Sequence, residues 1–243
     1  MVRDNRAGVI TLFWPSVRVG EVELDESRTQ HARVRRLASG DPVRLVDGAG
    51  SVGIGVVASI GKRAMSVRVE HVTDVARPPD LTLFVPVADR DRMLLAAEKS
   101  VELQATEWQA VYFARSRSVS PRGDGPRFHE KVLARMQSAL EQSDGAWRPV
   151  VRDDIEFDAA LEHLDASHVV LDRSGEPLDA PAWASVRGAV IGPEGGFEDA
   201  EVDRMRARGC RVATVGTSTL RFETAIIACA TLIRASQLST RNR

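Results

Sequence analysis

Two short stretches of this chain carry the side chains best suited to chemistry. The first is Ile191-Gly192-Pro193-Glu194-Gly195-Gly196-Phe197. Three glycines and a proline surround a single carboxylate. That composition disfavours regular structure and suits a backbone that needs positive φ or must come very close to a ligand. The second is Val215-Gly216-Thr217-Ser218-Thr219-Leu220-Arg221-Phe222-Glu223-Thr224-Ala225. Each follows an apolar run and opens a helix-like segment. Taken alone, the glycines leave two readings open: a cradle for a ligand, or a tight turn that lets a helix pack on its strand. The detailed phosphate patterns are missing. There is no G-x-x-x-x-G-K-[ST], no G-x-G-x-x-G after an early strand, and no G-x-S-x-G nucleophile elbow.

Other reactive residue types form no such constellation. Cys210 and Cys229 are the only cysteines, and they read as core thiols in a reducing compartment. The histidines His31, His71, His129, His163 and His168 are scattered, with no pair at helical ligand spacing, so no metal site is expected. The formal net charge of −1 argues against broad non-specific nucleic-acid binding. All basic side chains but Lys62, Lys99 and Lys131 are arginine. Two segments could still form a local basic face, or simply a solvated one: Arg28 to Arg36, and Arg115 to Arg135.

The elements that must position these stretches fall into two styles. Residues 9–14 read as a strand. Ser27–Ala38 reads as a helix, with Ser27 and Gln30 at capping-box spacing and Gly40 as its stop. Three short strands follow, Pro42–Val46, Ser51–Ile60 and Ala64–His71, separated by turn signals at Asp47-Gly48 and Gly61-Lys62. This predicts a small barrel or sandwich. Asp74 to Asp80 carries a Pro-Pro pair and marks the expected boundary between a domain over residues 1–75 and another over 80–243. Beyond it, strands alternate with helices. The strands are Leu81–Val87, Trp108–Phe113, His168–Leu171, Ala189–Ile191 and Arg211–Val215. The helices are Arg90–Leu103, Pro126–Gln142, Glu156–Leu164, Pro181–Val186, Ala200–Arg208 and Phe222–Leu238. Such alternation predicts an α/β fold with a mostly parallel sheet. Ligands of such sheets sit beyond the carboxyl ends of the strands. The loops after Leu171, Ile191 and Val215 are therefore expected to crowd together. The longest apolar run, Ala225 to Ile233, is too short to span a bilayer. No signal peptide is visible at Met1–Gly8, so a cytoplasmic location without membrane attachment is expected.

At this point the residues carry a resemblance. GPEGGF entering a helix, followed by a strand and the sequence L-R-x-E-T-A opening the last helix, is similar to the RsmE family of 16S rRNA (uracil-N3)-methyltransferases within the SPOUT superfamily. His31-Ala32-x-Val34-x-Arg36-Leu37, Leu45-Val46-Asp47-Gly48, Glu98-Lys99-Ser100-Val101-Glu102-Leu103 and Glu141-Gln142-Ser143 resemble other parts of that family in the same order. The resemblance implies a small PUA-like β-barrel that helps hold RNA. It is followed by a SPOUT-type methyltransferase domain with a deep C-terminal trefoil knot, working as a homodimer through that domain. It implies S-adenosylmethionine as cofactor and N3 of a uridine in 16S rRNA, free or in the small ribosomal subunit, as target. The alternatives are a SPOUT-fold RNA methyltransferase with another target, or a non-catalytic RNA-binding paralogue.

Mapped onto this chain, the resemblance implies a cofactor pocket of Leu171, Ile191, Gly192, Glu194, Gly195, Gly196, Val215, Gly216, Thr219, Leu220 and Arg221. This cofactor has no phosphate, which fits the missing lysine. Uridine N3 must lose or share a proton as it accepts a methyl. Arg221 is expected to stabilise charge or position the base, and Glu194 or Glu223 to take the proton or orient a water. Plainer roles exist for both acids: a loop-shaping acceptor for Glu194, and a first-turn carboxylate on a helix dipole for Glu223. RNA-backbone contacts are expected from Arg33, Arg36, Arg115 and Arg117. The chain departs from the family pattern at Ser218 and Phe222, at Asp144-Gly145, at Asp89-Arg90, and at Gln104, where a glycine is usual.

Overall fold

The structure is a computed structural model, and it describes residues 9–118 and 121–241. Its contacts divide the chain into two compact units. One is Met1–Arg77 with Leu140–Arg148, and the other is Pro78–Ala139 with Pro149–Arg243. The first unit is thus not one linear stretch, which a reading of the sequence as consecutive domains does not anticipate.

In the first unit, β1 (Ile10–Phe13), β2 (Gly20–Leu24), α1 (Glu26–Val34), β3 (Pro42–Val46), β4 (Ser51–Ile60) and β5 (Met65–Asp74) form a five-stranded sheet and one helix. The strand order is β1-β3-β4-β5-β2. Only β1 and β3 run parallel; the other pairs are antiparallel. Alternation supplies the core, since Val22 and Leu24 turn inward while Glu21 and Glu23 face solvent. Leu12, Val43, Leu45, Val57, Met65, Val67 and Val69 join them.

Helix α1 departs from the expectation at both ends. Its N-cap is Asp25, whose Oδ1 accepts from the Arg28 amide at 2.9 Å, so Ser27 lies inside the helix. It stops at Val34, before the left-handed Arg36 (φ 60°), rather than running on to Ala38. The returning segment Leu140–Arg148 is bonded into this unit. Glu141 Oε1 accepts from the Phe13 amide at 2.9 Å. Arg44 Nη2 donates to the carbonyls of Asp144 (3.0 Å) and Gly145 (3.1 Å). Trp147 Nε1 donates to the Val75 carbonyl at 2.9 Å.

The second unit holds β6 (Thr82–Pro86), α2 (Arg90–Glu102), β7 (Glu107–Tyr112), a 3-10 turn (Ala114–Ser118) and α3 (Pro126–Gln142), whose end enters the first unit. Then come β8 (Val150–Val151), β9 (Ile155–Glu156), α4 (Phe157–Glu162), β10 (His168–Glu176), α5 (Ala180–Ala184), β11 (Gly188–Ile191), α6 (Asp199–Ala207), β12 (Arg211–Ala213) and α7 (Phe222–Arg241). The sheet order is β12-β10-β11-β6-β7-β8, with β9 also on β7, and every pairing is parallel. All four residues of β11 are buried, as a central parallel strand covered on both faces requires. Helix α7 packs on α5, α2, β11 and β6.

Two departures from the family pattern have a backbone meaning. Gln104 (φ 56°) and Asp144 (φ 53°) both adopt the left-handed conformation, which glycine enters without steric cost and other residues do not. Arg234 on α7 braces the first of these turns by donating from Nε to the Leu103 carbonyl (3.2 Å) and from Nη2 to that of Gln104.

Candidate active site

Strand register brings the predicted loops together. Leu171 of β10 pairs with Ile191 of β11 on one side and with Ala213 of β12 on the other. The three strands therefore end level with one another, and their loops surround a cleft of about 170 Å³. Leu171, Ile191, Gly192, Glu194, Gly196, Val215, Gly216, Thr219 and Leu220 all line it. Gly195, Arg221 and Glu223 do not. Gly195 faces Arg115. Arg221 is exposed between two lining residues, Leu220 and Phe222. Glu223 is only 7% exposed, and its Oε2 has no hydrogen-bond partner among the described residues.

The glycine turn takes its shape from local bonds. The Gly196 amide donates to the Pro193 carbonyl at 2.8 Å, and Gly196 takes φ 72°. Gly192 leaves room for a neighbour: a Cβ there would meet the Phe197 ring at 3.2 Å. Phe197 is buried and stands edge-on to Phe113, centroids 5.0 Å apart. Burial of such a ring contributes roughly 1.5–3 kcal/mol. Glu194 Oε1 accepts from the Asp89 amide at 3.4 Å. Glu201, in the first turn of α6, is buried and bridges two segments: Oε2 accepts from the Glu198 amide (2.8 Å) and Oε1 from the Ala114 amide (2.9 Å). Its sequence signal was the three-residue spacing from Glu198 at the helix start.

The opposite wall comes from a bulge that the sequence did not reveal. After Leu171, β10 leaves the ladder and rejoins it at Glu176, and both residues face Ala213. The residues between bulge out of the ladder, and Asp172 Oδ1 there accepts from the Ser174 amide (2.8 Å) and hydroxyl (2.7 Å). This places Asp172 and Arg173 on the cleft wall. Arg173 Nη1 donates to Thr219 Oγ1 at 3.2 Å, tying the first loop to the third. Gly175 lies directly on the backbone of Ala213, where a Cβ would be 2.5 Å from its nitrogen.

The remaining expected contacts are distributed over the chain. Arg33 and Arg36 are exposed in the first unit. Arg115 is exposed in the second, and its Nη1 donates to the Gly195 carbonyl at 2.7 Å. The side chain of Arg117 lies outside the described residues. Both cysteines are buried. Among the described residues there is no group of three or more His, Cys, Asp or Glu side chains able to hold a metal ion. No helix among them is long and apolar enough to cross a membrane.

Comparisons with known proteins bear on this arrangement. Residues 76–234 match the family model of an RNA methyltransferase domain, and residues 24–70 match that of an RNA methyltransferase PUA domain. The chain is 24% identical over 228 residues to a ribosomal RNA small subunit methyltransferase E of Aquifex aeolicus, covering 86% of this chain and 92% of that one. It is 29% identical over 215 residues to a protein of the same name from Mycobacterium bovis, covering 80% and 78%. Among solved structures it resembles a ribosomal RNA small subunit methyltransferase E from Neisseria gonorrhoeae bound to S-adenosyl methionine. There the TM-score is 0.81 at 24% identity, over 94% of this chain and 98% of that one. A probable rRNA-methyltransferase from Porphyromonas gingivalis gives a TM-score of 0.80 at 24% identity, over 96% and 100%. With the matched domain spanning both the parallel sheet and the cleft at its strand ends, the chain belongs to the RNA methyltransferase domain family.

Proposed function

We propose that this protein transfers the methyl group of S-adenosylmethionine to N3 of a uridine in 16S rRNA of the small ribosomal subunit. The observation that carries this reading is the composition of the strand-end cleft. Its walls are apolar side chains, glycine backbone and the hydroxyl residues Thr214, Ser218 and Thr219, and its charged side chains are Asp172, Arg173 and Glu194, with no lysine. Two carboxylates against one guanidinium suit a cationic sulfonium and disfavour a phosphate. The bound cofactor would supply an activated methyl group.

The chain's own residues would do the rest. Leu171, Ile191, Val215 and Leu220 would enclose the apolar parts of the cofactor, and the turn from Gly192 to Gly196 would present backbone groups to its polar ones. Arg221 is assigned to charge stabilisation or base positioning, since its side chain is exposed beside the cleft mouth. Of the two acids, Glu194 is the one on the wall, so it is assigned the proton at N3 or the water that takes it; buried Glu223 is assigned to the start of α7. N3 lies on the pairing edge, so the base must be unpaired when it reacts. Arg33 and Arg36 are assigned to RNA phosphates. Two features support the knotted path and the homodimer that the resemblance implies. β12 lies outside β10 while α7 returns to α5, α2 and β11. Leu95 on α2 and Leu232 and Leu238 on α7 are exposed apolar side chains. A cytoplasmic location follows from this substrate.

Calorimetric titration with S-adenosylmethionine tests the cofactor: absence of binding refutes it. Mass mapping of methylated nucleosides in 16S rRNA from a deletion strain tests the target. Loss of N3-methyluridine is expected. Loss of a different methylated nucleoside would favour another RNA target, and an unchanged map with retained RNA binding would favour a non-catalytic paralogue.

A further inference from the structure

Arg115 was expected to meet an RNA phosphate, yet its geometry gives it a different partner. Nη1 donates to the Gly195 carbonyl at 2.7 Å. The side-chain stem lies along the same residue, so that a Cβ on Gly195 would meet Arg115 Cδ at 3.2 Å and its Cβ at 3.3 Å. The base of this arm is fixed. The Ala114 amide donates to buried Glu201 at 2.9 Å, and the fully buried Ser116 accepts from the Phe113 amide at 3.2 Å. The arm therefore runs from a segment hydrogen-bonded at its base after β7 to the crown of the turn after β11. The neighbouring crown residue, Glu194, reaches the Asp89 amide at the start of α2. The Gly196–Pro193 bond closes the turn on itself.

We infer that Arg115 is a positioning residue that holds the Pro193–Gly196 turn in the shape the cleft requires. It acts on the cofactor through Gly195 and does not itself line the cleft. A guanidinium suits such a role because it keeps its charge and carries several donors in a fixed plane. A charge-assisted bond to a carbonyl is also stronger than a neutral one. The inference rests on the proposed cofactor, so its test needs a readout that does not.

The experiment compares wild type with Arg115→Ala, Arg115→Lys and Gly195→Ala; exchange and cofactor binding are read without RNA, and turnover and RNA affinity in a separate arm with RNA. Amide hydrogen exchange over Glu194–Phe197 is followed in the ligand-free proteins, and the Kd for S-adenosylmethionine is measured by calorimetry. Arg115→Ala is expected to speed exchange in the turn and to raise Kd about tenfold, the loss of one hydrogen bond to a charged group. Gly195→Ala, with Arg115 intact but displaced, should change both in the same direction, and Arg115→Lys should recover part of the loss. At saturating cofactor, kcat of Arg115→Ala should stay within about twofold, so that the defect appears in KM. Wild-type exchange and wild-type Kd in Arg115→Ala, with RNA affinity alone reduced, would overturn the inference and leave a phosphate contact. Faster exchange in Arg115→Ala, in a protein whose wild type binds no S-adenosylmethionine, would uphold the positioning role and sink the proposed cofactor instead.

Discussion

Gly175→Ala tests whether the bulge of β10 shapes the cleft. The added methyl carbon would lie 2.5 Å from the Ala213 nitrogen and 2.6 Å from its Cα and carbonyl carbon. Comfortable carbon contacts are about 3.5–4.0 Å, so a gap of roughly 1 Å has to open. The obstacle is backbone, and no side chain can rotate away to make room. β12 is three residues long and pairs only with β10, so it is the element that yields. Overpacking of this kind costs about 1–3 kcal/mol. In a protein of this size each kcal/mol lowers Tm by about 2–4 °C, which gives an expected loss of roughly 2–12 °C. Ala213, Thr214 and Val215 form part of the cleft wall. Moving them by about 1 Å should cut turnover on the order of 100-fold. Thermal melting by circular dichroism and a methyl-transfer assay read the two effects. Gly216→Ala is the melting control, because no atom lies within 4 Å of its added carbon; its Tm should match wild type. If Gly175→Ala melted with wild type and kept its activity, the bulge would have no part in holding β12.

Arg221→Ala should reduce turnover at least tenfold while shifting Tm by less than about 2 °C, since the side chain is exposed and surface changes rarely exceed about 0.5 kcal/mol; an unchanged turnover number would refute its assigned role. Gln104→Gly should raise Tm by about 1–3 °C, because the left-handed backbone there costs a non-glycine residue about 1–2 kcal/mol and the added chain freedom of glycine offsets only part of that. A fall in Tm would mean that the Gln104 side chain contributes more than the strain it carries. Cys210 and Cys229 should resist iodoacetamide at pH 8 in the folded protein and react once it is unfolded. Burial pushes the Cys210 thiol up to about 11 and the Cys229 thiol higher still, which leaves little of the reactive thiolate at pH 8. Rapid labelling of the native protein, read by mass spectrometry, would contradict that burial.

The legible parts of this molecule were those where pattern and geometry agree. The cleft could be located because β10, β11 and β12 are apolar runs that each end in a turn, and parallel strands in register bring such ends together. Strand β2 escaped notice because Gly20–Leu24 alternates glutamate with apolar residues and so reads as a polar connection. Alternation is nevertheless what a strand with one wet face requires. Asp172 and Arg173 were missed because a bulge is a matter of ladder register, and nothing in the residue types of 172–175 announces where pairing resumes. The resemblance puts Arg221 in the cofactor pocket and Glu223 among the catalytic candidates, whereas the residue between them is the one that lines the cleft. Phe222 took the inward position, while Arg221 remained exposed and Glu223 was buried off the cleft wall.

The return of Leu140–Arg148 to the first unit has a consequence for how this protein is made. When residue 77 has left the ribosome, β1 to β5 are complete as sequence, but the partners of the Phe13 amide, the Arg44 guanidinium and the Val75 carbonyl have not been synthesised. At about 5–20 residues per second, the wait until residue 148 emerges lasts several seconds. During that wait the sheet is an incomplete intermediate with open polar groups, and the strands of the second unit are already appearing behind it. Synthesis of the two units is therefore interleaved in time. A fragment cut at residue 77 would reproduce that waiting state rather than the finished unit.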